Sequence, residues 1–95
     1  MVYIIGYVPK KGYAYMKIQK AVAERIIKLC DERNMTVNGL ANISAVSPST
    51  IKNIIYGASK NPGIATIKML CDGLEISIQE FFEDEIFYNL EQEIE

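Results

Sequence analysis

The chain has 95 residues, of which 49% are hydrophobic and 23% charged, a composition that suits one compact domain with a single modest core. It contains no histidine, so imidazole metal sites and histidine-activated nucleophiles are excluded, and we expect no catalysis, metal or cofactor. The formal net charge of −2 divides unevenly, because residues 1–68 carry +7 and residues 69–95 carry −9. An acidic protein of this kind can still present a basic surface to an anionic partner.

Residues 1–16 predict a short strand-like arm or hairpin. β-branched and aromatic residues flank a Pro/Gly turn at residues 9–12, which is typical of paired strands. The alternative is a leader outside the native protein, since Met16 would itself be a sensible start. The apolar residues 2–8 follow no basic start, so we do not expect a signal peptide.

Helical periodicity begins at residue 17, and we expect one domain over residues 17–83. A first helix presents an apolar stripe that ends before Asn34, and Thr36 caps a second helix over residues 36–43. Ser47 and Pro48 open a third helix that Gly57 ends. A fourth helix spans about residues 64–74, and a capping box at residues 77–80 opens a fifth.

Residues 84–95 predict an acidic helical tail. Four apolar residues keep a helical spacing there: Ile86, Phe87, Leu90 and Ile94. This stripe could form a dimer interface, bind a partner or cover the basic surface, and the alternative is that it packs locally.

The two cysteines, Cys30 and Cys71, lie among apolar residues at helical spacing. This pattern favours buried, reduced thiols over a disulfide or a reactive thiol. No apolar run is long enough to span a membrane. We therefore expect a cytoplasmic protein.

The second and third helices, with the tight turn between them, predict a helix-turn-helix. Apolar side chains at five positions set the angle between the helices: Leu40, Ala41, Val46, Ile51 and Ile54. In this motif the second helix projects its N-terminal residues into the major groove of DNA. Ser49 and Asn53 lie one turn apart there, and an Asn amide can bond bidentately to adenine. The alternative for Asn53 is an inert exposed amide.

The helix N-termini and the flanking polar residues are candidates for contacts with DNA phosphates. Free amides at helix N-termini suit anions, and hydroxyl and basic side chains suit phosphate oxygens. The backbone-contacting candidates are Thr36, Ser47, Thr50, Lys52, Tyr56 and Lys60. For Ser47 and Thr50 the alternative is that their hydroxyls only cap and solvate the helix.

Residues 24–82 resemble the lambda-repressor-like helix-turn-helix domain of the Cro/XRE family of bacterial and phage regulators. The matching residues are Arg25, Ile26, Leu29, Thr36, Leu40, Ala41, residues 46–51, Gly57, Pro62, Ile67, Leu70, Leu74, Phe81 and Phe82. The resemblance implies an all-α, compact five-helix bundle that binds operator DNA, usually as a homodimer. By position it implies base contacts for Pro48, Ser49 and Asn53, and phosphate contacts for Ser47 and Tyr56.

The chain departs from the family pattern at four positions. A polar residue is common where Val37 stands, a turn glycine where Ala45 stands, and a glutamate where Ile55 stands. Gly63 replaces a basic residue after the loop proline. These departures predict fewer DNA contacts than the family pattern provides.

The leading hypothesis is therefore a sequence-specific transcriptional regulator, a repressor, with double-stranded DNA and a second copy of itself as partners. It needs no membrane, and a small-molecule effector is not expected. The alternative is a protein-interaction module with the same fold, such as an antitoxin or a mobile-element accessory factor.

Overall fold

A computed structural model describes residues 16–94 of the chain. The predicted arm, apart from Met16, lies outside these residues. Five α-helices and one 3₁₀ turn follow in order: α1 Ile18–Glu32, α2 Val37–Ser44, α3 Pro48–Ile55, α4 Ile64–Leu74, α5 Ile78–Phe81 and the 3₁₀ turn Glu85–Tyr88. The predicted all-α five-helix bundle is confirmed. None of the helices in residues 16–94 is long and apolar enough to cross a membrane.

Three predicted side-chain caps begin the helices. Thr36 Oγ1 accepts a hydrogen bond from Gly39 N at 3.0 Å, and Ser47 Oγ accepts one from Thr50 N at 3.1 Å. At α5 the capping box is complete, since Ser77 and Glu80 each accept from the other's backbone amide. These bonds satisfy amides that a helix N-terminus leaves without partners, so α2, α3 and α5 begin where the sequence predicts.

The core lies where the apolar sides of α1 to α5 meet. Its fully buried side chains include Ile26, Leu40, Ile51, Leu70 and Phe81. Gly73 allows α2 and α4 to approach closely, because a Cβ atom there would lie 2.7 Å from the carbonyl oxygen of Ile43. The sequence pattern predicts the buried side chains but not this backbone contact.

Cys30 and Cys71 are free thiols buried in the core, as predicted. Burial raises the pKa of both thiols, and the charge of Asp31 raises the pKa of Cys30 further. The thiolate is the reactive form, so both side chains act as small apolar residues.

The turn between α2 and α3 contains a residue in the left-handed helical region. Ala45 ends α2 with φ 59° and ψ 26°, a conformation that costs an L-residue with a Cβ atom about 1–2 kcal/mol. Val46 follows, and its buried side chain packs in the core, which holds the turn in place. The Ala45 departure from the family pattern therefore leaves the turn formed but strained.

The C-terminal segment, residues 84–94, departs from the predicted helix. Helical structure stops after the single 3₁₀ turn, and Leu90 then forms a parallel bridge with Met16. Met16 N donates to Asn89 O at 3.4 Å, and Glu91 N donates to Met16 O at 2.8 Å. Backbone pairing with the residue before α1 thus replaces the hydrogen bonds of a continued helix.

Ion pairs of Asp84 connect this segment to α1. Its carboxylate accepts from Arg25 Nη1 at 3.3 Å and Lys28 Nζ at 2.6 Å, and its side chain is only 7% exposed. Arg25 also donates to the carbonyls of Phe81 and Glu80 at the end of α5. Burial acts to raise the pKa of Asp84, but the bonds from Lys28 and Ile86 N and the charges of Lys28 and Arg25 outweigh it and lower the pKa.

We expect Asp84→Asn to lower the free energy of unfolding at pH 7 by about 1–3 kcal/mol, because it weakens two charge-assisted bonds at a buried site. A depressed folded pKa stabilises the protein above the unfolded pKa, and this stabilisation is lost as pH falls through the folded value. The difference between variant and wild type should therefore narrow below about pH 4 in urea titrations. Asp72→Asn, at an exposed ion pair with Lys68, is the control and should stay within about 0.5 kcal/mol of wild type. If the difference in free energy of unfolding between Asp84→Asn and wild type did not change with pH, the ionised Asp84 carboxylate would not be the source of the stabilisation.

We expect Ala45→Gly to raise the free energy of unfolding by about 0.5–1 kcal/mol. Glycine removes the strain of the left-handed conformation. It also raises the conformational entropy of the unfolded chain, and this cost offsets only part of the gain in stability. The matched control is Ala65→Gly within α4, which should lower stability by a similar amount. Chemical denaturation of both variants measures this, and destabilisation by Ala45→Gly would show that the turn is not strained.

Candidate nucleic-acid interface

Helix α3 has one buried side and one exposed side. Ile51 and Ile54 are 0% and 2% exposed and face the core, where α3 packs against α1 and α2. Ile55 is half-buried, and the remaining five residues of the helix are exposed: Pro48, Ser49, Thr50, Lys52 and Asn53. An eight-residue helix held in this way presents a short polar surface of the size that enters a major groove.

A cluster of hydroxyl groups lies at the N-terminus of α3. Besides capping Thr50 N, Ser47 Oγ lies 2.8 Å from Thr50 Oγ1 and 3.3 Å from Ser49 Oγ. The predicted capping role of Ser47 is confirmed. The cluster is exposed, so these hydroxyls can also reach an oxygen or base edge outside the protein.

Asn53 lies one turn further along, beside a pocket between α3 and the start of α4. The pocket has a volume of about 140 Å³, and its polar lining includes Thr50, Ser59, Asn61 and Thr66. The carbonyl of Asn53 accepts from Ser59 N at 2.9 Å, which ties the loop after α3 to the helix. The side-chain amide of Asn53 is exposed on the same surface as Ser49.

The remaining candidates border this surface. Thr36 begins α2, Tyr56 ends α3 with 78% of its surface exposed, and Lys60 lies in the loop before α4. All nine sequence-predicted residues are exposed: Thr36, Ser47, Pro48, Ser49, Thr50, Lys52, Asn53, Tyr56 and Lys60. Whether each contacts DNA stays a prediction.

Three departures from the family pattern have structural counterparts. Val37 and Ile55 are half-buried and pack against the core, so apolar contacts take the place of polar ones. Gly63 precedes α4 and provides no side-chain cap, which leaves the first amides of α4 without a capping side chain. These three positions therefore offer no polar side chain to the candidate interface.

The start of α1 also borders the interface, which the sequence does not reveal. Gln19 and Lys20 line a depression together with Tyr56, Gly57 and Ser59. Their contribution depends on how α1 packs across α3, and Lys20 reads in the sequence as one more exposed lysine of a helix. No spacing signal would have identified it.

The acidic C-terminal segment contacts α1, the residues before it and the end of α5. Its polar contacts run to Met16, Lys17, Ile18, Arg25 and Lys28. The Phe87 ring packs against Phe81 and Phe82. Of its apolar stripe, Ile86 is buried and Phe87 and Leu90 are half-buried, so these three pack locally, whereas Ile94 is 78% exposed. No group of three or more metal-ligating side chains lies close together within residues 16–94.

Comparisons with known proteins agree with this geometry. The family model of the Cro/C1-type HTH DNA-binding domain matches residues 25–85. An HTH_3 family transcriptional regulator from Vibrio cholerae is 30% identical with a TM-score of 0.63, over 67% of this chain and 35% of that one. The chain thus spans about a third of that regulator.

A second solved structure, prophage Lp1 protein 11, is 33% identical with a TM-score of 0.63, over 70% of this chain and 87% of that one. No curated protein matches the sequence. The family match covers more than half of the chain and coincides with the five-helix fold around α2 and α3. The chain therefore belongs to the Cro/C1-type family of helix-turn-helix DNA-binding domains.

Proposed function

We propose that this protein is a sequence-specific transcriptional regulator that reads the major groove with α3 and represses by occluding its site. The observation that carries the proposal is that α3 has one buried side, with Ile51 and Ile54, and one exposed side that is polar apart from Pro48. The protein acts by binding alone, without catalysis, in the cytoplasm. No small-molecule effector is needed for this role.

We assign the contacts with DNA bases to the first two turns of α3. Ser49 and Asn53 share the exposed side, and Pro48 lies at the first helical position, where its ring can contact a thymine methyl group. Asn53 has the amide geometry that pairs with N6 and N7 of adenine. It is the residue on which we expect specificity to depend most.

Phosphate contacts fall to the residues around α3. Ser47 and Thr50 offer hydroxyls at its N-terminus, and Tyr56 and Lys60 follow its C-terminus. Lys52 adds an exposed cation, and Thr36 begins α2, whose N-terminus is the remaining candidate for a phosphate contact. These contacts would set the register of α3 on the duplex without reading sequence.

We also propose that a second copy of the chain covers a largely apolar groove next to this surface. The groove has a volume of about 170 Å³ and is lined by Ile18, Val22, Ile64, Ile67 and Phe82 together with Lys60, Asn61 and Pro62. Ile64 is 67% exposed there. Asn61 and Pro62 also line the pocket beside Asn53, so the groove adjoins the surface proposed to face DNA. A two-fold dimer at this groove is our proposal for how two α3 helices reach two half-sites.

Selection of bound sequences from a random duplex pool tests the function. We expect enrichment of a site with two related half-sites about one helical turn apart, and a protein mass that corresponds to a dimer. With about six phosphates neutralised per dimer, log K should fall with log salt at a slope near −5. A lack of enrichment with a flat salt response would refute DNA binding. Enrichment of single half-sites by a monomer would overturn the proposed dimer at the groove.

We expect Asn53→Ala to cost about 1–3 kcal/mol of affinity on the selected site and to relax preference at one base pair. Asn42→Ala is the control, since Asn42 is an exposed amide on α2 outside the predicted set. Titration of both variants against the selected site and its single-base variants measures the effect. Equal losses on every sequence would assign Asn53 to the phosphates instead.

A further inference from the structure

The first turn of α1 lies beside the last turn of α3. Gln19 and Lys20 from α1 face Tyr56, Gly57 and Ser59 across a depression of about 130 Å³. Tyr56 is the proposed phosphate contact at the C-terminal end of α3, and its side chain is largely exposed. Lys20 on α1 therefore lies next to Tyr56, the residue proposed to contact a phosphate at the end of α3.

Lys20 is available for such a contact. Its Nζ lies 3.3 Å from Glu24 Oε2, one turn along α1, and the two side chains are 62% and 42% exposed. Exposed pairs of this kind contribute little stability, and a lysine that precedes its glutamate is the weaker of the two orders. Exchange of the Glu24 carboxylate for a DNA phosphate would cost the protein little.

We propose that Lys20 is a further DNA-backbone contact. In the free protein Lys20 pairs with the Glu24 carboxylate, which competes with a DNA phosphate for it. The proposal rests on the DNA-binding function proposed above. It extends the interface from α3 and its loop to the start of α1, and it makes Glu24 a modulator of affinity that never touches DNA.

The chain offers a matched control on α4. Lys68 and Asp72 form an ion pair with the same spacing and the same order, with side chains 56% and 60% exposed. Lys68 lines none of the three depressions around α3 and α1. Substitutions at the two pairs change the net charge equally, so a difference between them reports position and not charge alone.

The experiment measures the salt dependence of binding to the selected duplex for Lys20→Gln, Lys68→Gln and wild type. We expect Lys20→Gln to make the slope of log K against log salt less steep by about 0.9 per protomer, and to weaken binding equally on all sequences. Between about 50 and 200 mM salt this equals a three- to fourfold smaller loss of affinity per protomer. Lys68→Gln should match wild type, and Lys20→Arg should restore the slope.

The acidic partners provide the second half of the test. Glu24→Gln should tighten binding because it releases Lys20, whereas Asp72→Asn should not. Equal slopes for Lys20→Gln and Lys68→Gln, or equal gains for Glu24→Gln and Asp72→Asn, would overturn the proposal while DNA binding by wild type stands. Failure of wild type to bind any duplex would overturn the proposed function itself.

Discussion

Burial of the apolar side of α3 is the constraint on which the whole interface depends. An eight-residue helix has little stability of its own in water, because nucleation costs more than a few hydrogen bonds return. Ile51 and Ile54 hold it against α1 and α2, and the cap at Ser47 fixes its start. The same contacts that stabilise the helix therefore orient its polar side.

The turn before α3 shows how strongly this packing determines the local backbone. Ala45 adopts a left-handed conformation that glycine would adopt without strain. Burial of Val46 and the closeness of α2 to α4 at Gly73 leave the chain little alternative. Tertiary contacts thus offset a local preference of about 1–2 kcal/mol.

The acidic C-terminal segment is held by both charged and apolar contacts. Asp84 pairs with Arg25 and Lys28 of α1, further polar contacts run to residues 16–18, and Phe87 packs against Phe81 and Phe82. Lys52 and Lys60 remain exposed around α3. The negative net charge therefore says little about the surface proposed to face DNA, because Asp84 is paired with cations of α1 while the lysines around α3 stay exposed.

Much of the fold could be predicted from the sequence because its signals are local. Caps at Thr36, Ser47 and Ser77, and the periodic apolar residues of α1 and α4, are set by neighbours within one or two turns. The exposed side of α3 follows from the same periodicity. The C-terminal segment could not be predicted in this way, because its apolar spacing fits a helix while its partners at the start of α1 lie 75 residues away.

The sequence by itself determined the five helices, the helix-turn-helix and the polar residues that α3 presents, since each depends on short-range spacing. Only the tertiary structure decided which charges far apart along the chain meet. It paired Asp84 with Arg25 and Lys28, and it placed Lys20 beside Tyr56. These neighbours are distant along the chain, and only the packing angles of α1 against α3 and the C-terminal segment bring them together.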